Sequence, residues 1–182
     1  MIDYSQRSYK TEFLDSGDIP FEDIRLNMKE LNFINTYLGG HDITIAGFKM
    51  LATGKKNISV CEIGCGGGDN LNAIYAWGVK NDLRVTCIGI DINPNCIAYA
   101  KKVSIVPGSN FMTGDYKIFE FENSRPDIIF SSLFCHHFTG EELIKMMKWM
   151  ASNSNLGFFI NDLHHFPKIL FTTSHRICSL SL

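Results

Sequence analysis

The segment Cys61-Glu62-Ile63-Gly64-Cys65-Gly66-Gly67-Gly68-Asp69-Asn70 concentrates residues whose types and spacing could do chemistry. Its glycines let the main chain turn tightly and let a ligand touch the backbone. A helix leaving such a loop offers free N–H groups to an anionic or polar group. The loop is not a dinucleotide fingerprint of the G-x-G-x-x-G kind: the sixth position is Asp69 counted from Gly64, and Leu71 counted from Gly66. It also lacks the G-K-[ST] ending of a phosphate-binding P-loop. What stands here is E-x-G-x-G-x-G, from Glu62 to Gly68. An acid two residues before the first glycine can face a positively charged amine. It would repel a pyrophosphate and suit an amino-acid-like group.

The elements that must position this loop are legible as alternating apolar runs and amphipathic stretches. Strands are expected at Ile58–Ile63, Leu83–Ile90, Phe111–Thr113, Asp127–Leu133 and Leu156–Ile160. Helices are expected at Asn70–Gly78, at Asn93–Val103 with Pro94 in an early turn, at Thr139–Ala151, and from about His165. Upstream, Ile24, Met28, Leu31, Ile34 or Asn35, and Leu38 form one apolar helical stripe, broken by Gly39-Gly40. A second helix follows from Asp42 to Leu51, closed by Gly54, and residues 1–20 read as a loose arm. Strands alternating with helices at this pace predict an α/β fold, a doubly wound and mostly parallel Rossmann-like sheet. The division is an N-terminal arm with two helices over residues 1–54 and an α/β core over 55–182. Glu62, Asp91 and Asp115 all close strands on the carboxyl edge, where open α/β sheets bind ligands.

The whole composition agrees with one domain and a full core: 182 residues, 45% apolar, 20% charged, net charge −2. Disorder would need fewer apolar residues and a stronger charge bias. The near-neutral balance and scattered basic residues, such as Lys55-Lys56 and Lys101-Lys102, argue against a dedicated nucleic-acid binder. No apolar run reaches the ~18 residues a membrane span needs. The cysteines at 61, 65, 87, 96, 135 and 178 form no C-x-x-C pair, and the chain opens M-I-D-Y-S-Q without an apolar leader. Reduced thiols in the cytoplasm are the expected state.

At these residues the sequence resembles the class I S-adenosylmethionine-dependent methyltransferases. C-E-I-G-C-G-G-G is similar to their first motif. Asp91, closing V-T-C-I-G-I-D, resembles the second, which implies an acid holding both ribose hydroxyls. Gly114-Asp115-Tyr116 resembles the third, which implies an acid accepting from the adenine amino group. D-I-I-F-S-S-L-F-C-H-H-F, from Asp127 to Phe138, resembles their fourth strand and the substrate-facing loop after it. The resemblance spans residues 50–170. The stretches L-N-F-I-N-T-Y-L-G-G-H and N-D-L-H-H also resemble a narrower group, small-molecule methyltransferases associated with type III polyketide synthases.

The resemblance implies S-adenosylmethionine as cofactor, held by Glu62, Gly64, Cys65, Gly66, Gly68, Asp91, Ile92, Asp115, Tyr116 and Leu133. It implies that His136 and His137 face the methyl donor, one of them as a base, and that Asn161, His164 and His165 touch a small-molecule acceptor. The helices before the core would then close over the cofactor. The family sheet has seven strands in the order 3-2-1-4-5-7-6, with the seventh antiparallel. Only five strands are found here, in the order 3-2-1-4-5. The missing hairpin leaves the fifth strand as an open edge that a homodimer could cover.

Plainer readings stand beside these. Asp91 could only cap the following helix, and Gly114-Asp115 is also an ordinary turn. The histidines could be loop residues; their H-H pairs lack metal-ligand spacing, and no metal is expected. Cys65 has no identifiable base beside it. Phe111, Tyr116, Phe119 and Phe121 suit a core better than a nucleic-acid platform. The functional reading is methyl transfer to an oxygen or carbon of a small molecule. The alternatives are a non-catalytic cofactor-binding scaffold and an NAD(P)-dependent oxidoreductase. A nucleic-acid methyltransferase fits poorly, since S-S-L-F stands where an N-P-P-Y-like tetrad would.

Overall fold

The computed structural model describes residues 19–121, 124–162, 169–173 and 176–180. Seven strands form one sheet: β1 (Asn57–Ile63), β2 (Arg84–Asp91), β3 (Asn110–Thr113), β4 (Ile128–Ser132), β5 (Gly157–Asn161), β6 (Ile169–Thr173) and β7 (Arg176–Leu180), in the order β3-β2-β1-β4-β5-β6-β7. The first five are parallel, as their unbroken apolar runs require of strands covered on both faces. All of β4 is buried.

Side chains alternate between two apolar layers. Ile58, Val60 and Phe130 point to one, where they meet Phe48 and Ala52 of α2 (Gly40–Ala52), Leu71 and Ile74 of α3 (Asp69–Lys80), and Ile97 and Ala100 of α4 (Pro94–Val103). Cys61, Ile63 and Ile129 point to the other, against Leu143, Met146 and Met150 of α5 (Gly140–Asn153). The first helix, α1 (Phe21–Tyr37), lays Ile24 and Met28 against Cys96 and Tyr99 of α4. Gly39, at φ 86°, turns the chain from α1 into α2 in a conformation that favours glycine. No described helix is long and apolar enough to cross a membrane.

The C-terminal part departs from expectation. In place of a helix beginning near His165, residues 169–173 and 176–180 form an antiparallel hairpin, with β6 antiparallel to β5 through Phe158 and Thr172. Ile-Leu-Phe-Thr-Thr is rich in β-branched and aromatic residues, which fit a pleated surface better than a helix. The sheet therefore has seven strands rather than five. The edge of β5 that motivated a homodimer is taken by the chain's own β6, which lies where the family order would insert a seventh strand.

After β1 the chain winds outward to β2 and β3, then returns to place β4 on the other side of β1. The crevice at the carboxyl ends of β1 and β4 is thus the topological switch point, the usual ligand position in an open α/β sheet.

Candidate functional site

The loop after β1 turns on three left-handed glycines: Gly64 at φ 66°, Gly66 at 49° and Gly68 at 72°. Its backbone is tied to β2 by the Cys65 N–H, which donates to the Ile90 carbonyl at 3.1 Å, and to itself by Gly68 N–H donating to Cys65 at 2.8 Å. Asp91, at the end of β2, completes the frame. Its Oδ2 accepts from the Gly66 N–H and its Oδ1 from the Asn93 N–H, each at 2.8 Å. Burial raises the Asp91 proton affinity, and the two N–H bonds oppose that rise. The helix cap itself is Asn93, whose side chain accepts from Asn95 N–H at 2.9 Å with Pro94 in the first turn. Asp91 is therefore freed from capping and instead clamps the glycine loop.

Glu62 is 1% exposed. Its Oε1 accepts from Asn70 Nδ2 at 3.1 Å, while its buried Oε2 has no hydrogen-bond partner. Burial, followed by the nearby Asp69 charge, pushes its carboxyl well above the usual carboxylate range, against the pull of the Asn70 bond. An orphaned carboxylate oxygen at such a position is costly unless something positive or protonated meets it.

Around this acid runs a polar network that sequence reading did not find. Asn70 Oδ1 accepts from Thr44 Oγ1 at 3.1 Å, and Asn161 Nδ2 donates to Thr44 Oγ1 at 3.0 Å and to Ser132 Oγ at 3.2 Å. Asp69 Oδ2 accepts from Asn35 Nδ2 at 2.9 Å and lies 3.0 Å from His41 Nε2. The N-terminal helices are thereby bonded to the first turn of α3. The sequence signal was faint: Asn35 interrupts an apolar stripe, and Asn70 reads equally well as a helix cap.

A cavity of about 510 Å³ opens over the glycine loop, walled by Glu62, Asp69, Asp91 and Leu133, with Ile24 and Met28 from α1. A second, of about 200 Å³, is walled by Asp115, Tyr116 and Lys117. Both share Gly64, Asp91, Ile92, Phe134 and His137, so they form one continuous cleft.

The structure brings most of the expected residues to this cleft. Glu62, Gly64, Cys65, Gly66, Asp91, Ile92, Leu133 and His137 line the larger cavity; Asp115 and Tyr116 line the smaller. Gly68 lies behind the loop, where a Cβ would meet the Phe111 ring at 2.8 Å. Tyr116 is mostly a packing residue, edge-on to Phe134, Phe138 and Trp149. Burial pushes its hydroxyl up to about 12. The Cys65 thiol is pushed well up by burial, the opposite of what a nucleophile needs.

Leu133 holds φ 51°, a strained conformation for a branched residue, with its N–H donated to the Asn161 carbonyl at 2.8 Å. His136 does not line either cavity; its ring lies tilted against His137, centroids 4.3 Å apart, and His137 lines both. Asn161 also lies outside the cavity walls and belongs to the polar network. His164 and His165 lie outside the described residues.

Comparison with known proteins agrees with this geometry. A methyltransferase domain family matches residues 60–157, more than half of the chain. The chain belongs to this methyltransferase domain family. Among solved structures it is similar to the plantazolicin methyltransferase BpumL in complex with SAH. That match has 25% identity and a TM-score of 0.59, and covers 79% of this chain and 53% of that one. The complex of BpumL with a monoazolic desmethylPZN analog and SAH gives 25% identity, a TM-score of 0.60 and the same coverage. The magnesium protoporphyrin IX methyltransferase ChlM from Synechocystis PCC 6803, with bound SAH, shares the fold. It shows 17% identity and a TM-score of 0.54, over 83% of this chain and 60% of that one. The chain thus spans about half the length of the BpumL structures. The curated proteins contain no significant match.

Proposed function

We propose that the cleft binds S-adenosylmethionine and that the chain directs transfer of its methyl group to an oxygen or carbon of a small-molecule acceptor. The observation that carries this reading is Glu62, buried with one oxygen unpartnered, lining the same cavity as the loop-clamping Asp91. The residues fit the group: Glu62 would meet its ammonium, Asp91 its ribose hydroxyls, Ile92 the adenine face and Asp115 the adenine amino group. Bound S-adenosylmethionine supplies an electrophilic sulfonium methyl with a good leaving group. The glycine loop lets the ligand lie against the backbone, and α1 and α2 form a lid that excludes water and aligns the acceptor. A nicotinamide dinucleotide is disfavoured because Glu62 and Asp69 would repel its pyrophosphate at the loop.

His137, which lines both cavities, would meet the acceptor. His136 is oriented by Asp162, whose Oδ1 lies 2.8 Å from Nδ1. A carboxylate only accepts, so Nδ1 carries the proton and a neutral ring keeps its lone pair on Nε2. One of these two histidines would take the proton when an acceptor hydroxyl or carbon acid is methylated. Support for the cofactor also comes from the SAH bound by BpumL at 25% identity. Calorimetry with S-adenosylmethionine, its demethylated product and NAD tests the reading. The first two should bind and the third should not; binding of NAD alone would refute it. Turnover across a panel of phenolic and carbon-acid acceptors then tests catalysis against a non-catalytic scaffold.

A further inference from the structure

We infer that Asp69 is a second carboxylate for the cofactor's ammonium group, set in place by the two N-terminal helices. The inference rests on the reading of the cleft as an S-adenosylmethionine site. Asp69 opens α3 directly after the left-handed Gly68 and lines the same cavity as Glu62. Its side chain is 18% exposed, and its Oδ2 is held by Asn35 of α1 and His41 of α2. Its neighbour Asn70 holds one oxygen of Glu62 and leaves the other buried and unpartnered.

Two acids on one cavity wall, one of them with an orphaned oxygen, repel each other until a cation enters between them. The Asp69 charge adds to the reluctance of Glu62 to ionise, and an ammonium group between the two carboxyls reverses that effect. A purely structural latch between Asp69 and the helices would have no need to face the cavity. The N-terminal helices therefore do more than cover the ligand: they orient one of the groups that recognises its charged tail.

Calorimetry on the full chain separates these roles through two probes: S-adenosylhomocysteine, and 5′-methylthioadenosine, which keeps the thioether nucleoside but lacks the amino-acid tail. Asp69→Asn should lose about tenfold or more in affinity for the first, the scale of one charge-assisted contact, and change less than about twofold for the second. Equal losses for both probes would show that Asp69 only holds the helices, and no loss for either would show that it makes no contact; each result overturns the inference. If the wild-type chain binds neither probe, the reading of the cleft itself fails. Should Asp69→Asn not fold, Asp69→Ser, which suits a helix start, serves in its place with the same outcomes.

Discussion

Asp162 holds His136 at two points: its Oδ2 accepts the His136 backbone N–H at 2.9 Å, and its Oδ1 faces Nδ1 of the ring at 2.8 Å. The Asp162 side chain is only 2% exposed. Asp162→Ala removes the acceptor of both bonds at once. The expected loss is about 1–3 kcal/mol of stability, read as a lower urea midpoint at unchanged slope. Asp162→Asn keeps an acceptor and should lose less. Equal stability of the Ala variant and the wild type would show that the pair is incidental.

Asp91→Ala removes both ends of the clamp on the glycine loop as well as the proposed ribose contact. Affinity for S-adenosylmethionine should fall by roughly 1.5–3 kcal/mol, the range for hydrogen bonds to a charged group. Calorimetry measures this directly, and an unchanged dissociation constant would remove Asp91 from the binding machinery.

Gly66→Val places a branched side chain at φ 49°, with its Cβ 3.2 Å from Met28 Sδ. The left-handed backbone alone costs about 1–2 kcal/mol. The new side chain also fills space over the loop. A folded variant with a lowered melting temperature and no measurable cofactor binding is expected. Normal affinity in that variant would contradict the proposed path of the ligand across the loop.

Glu62 gives the ligand-free chain a pH dependence of defined sign. Burial raises its folded-state proton affinity well above the ordinary value of 4.5. Below that value both states are protonated and the group is neutral in its effect. As pH rises from there toward the raised folded value, the unfolded chain ionises more readily and stability falls. Glu62→Gln cannot ionise, so its melting temperature should gain on the wild type as pH climbs above 4.5. A constant difference across that range would mean that Glu62 does not titrate abnormally.

The core of this architecture was legible because its signals are local. The apolar run before Glu62, the glycines after it and the acid closing β2 each lie within a few residues, and together they define a strand, a loop and a helix. The hairpin was missed because β6 and β7 are short. Their sequences mix Thr and Ser with apolar residues and carry no clean alternation, so the pattern competes with a helix. The site's polar connections were hidden for a different reason. Asp162 meets His136 across 26 positions, and Asn35 meets Asp69 across 34. Such pairs become visible only when the strand order sets β5 beside β4 and the helical pair over the loop. Asn161 belongs with these: its exit from a strand implied a role at the cleft, but strand order turns its amide toward Thr44 and Ser132.

The line of bonds from Ser132 through Asn161, Thr44 and Asn70 to Glu62 joins the ends of β4 and β5 to the buried acid of the cleft. Linkage then sets a rule for this line: whatever free energy it passes from one end to the other on filling the cleft acts equally in the reverse direction. Any coupling between ligands at its two ends would therefore be the same whichever of them arrived first.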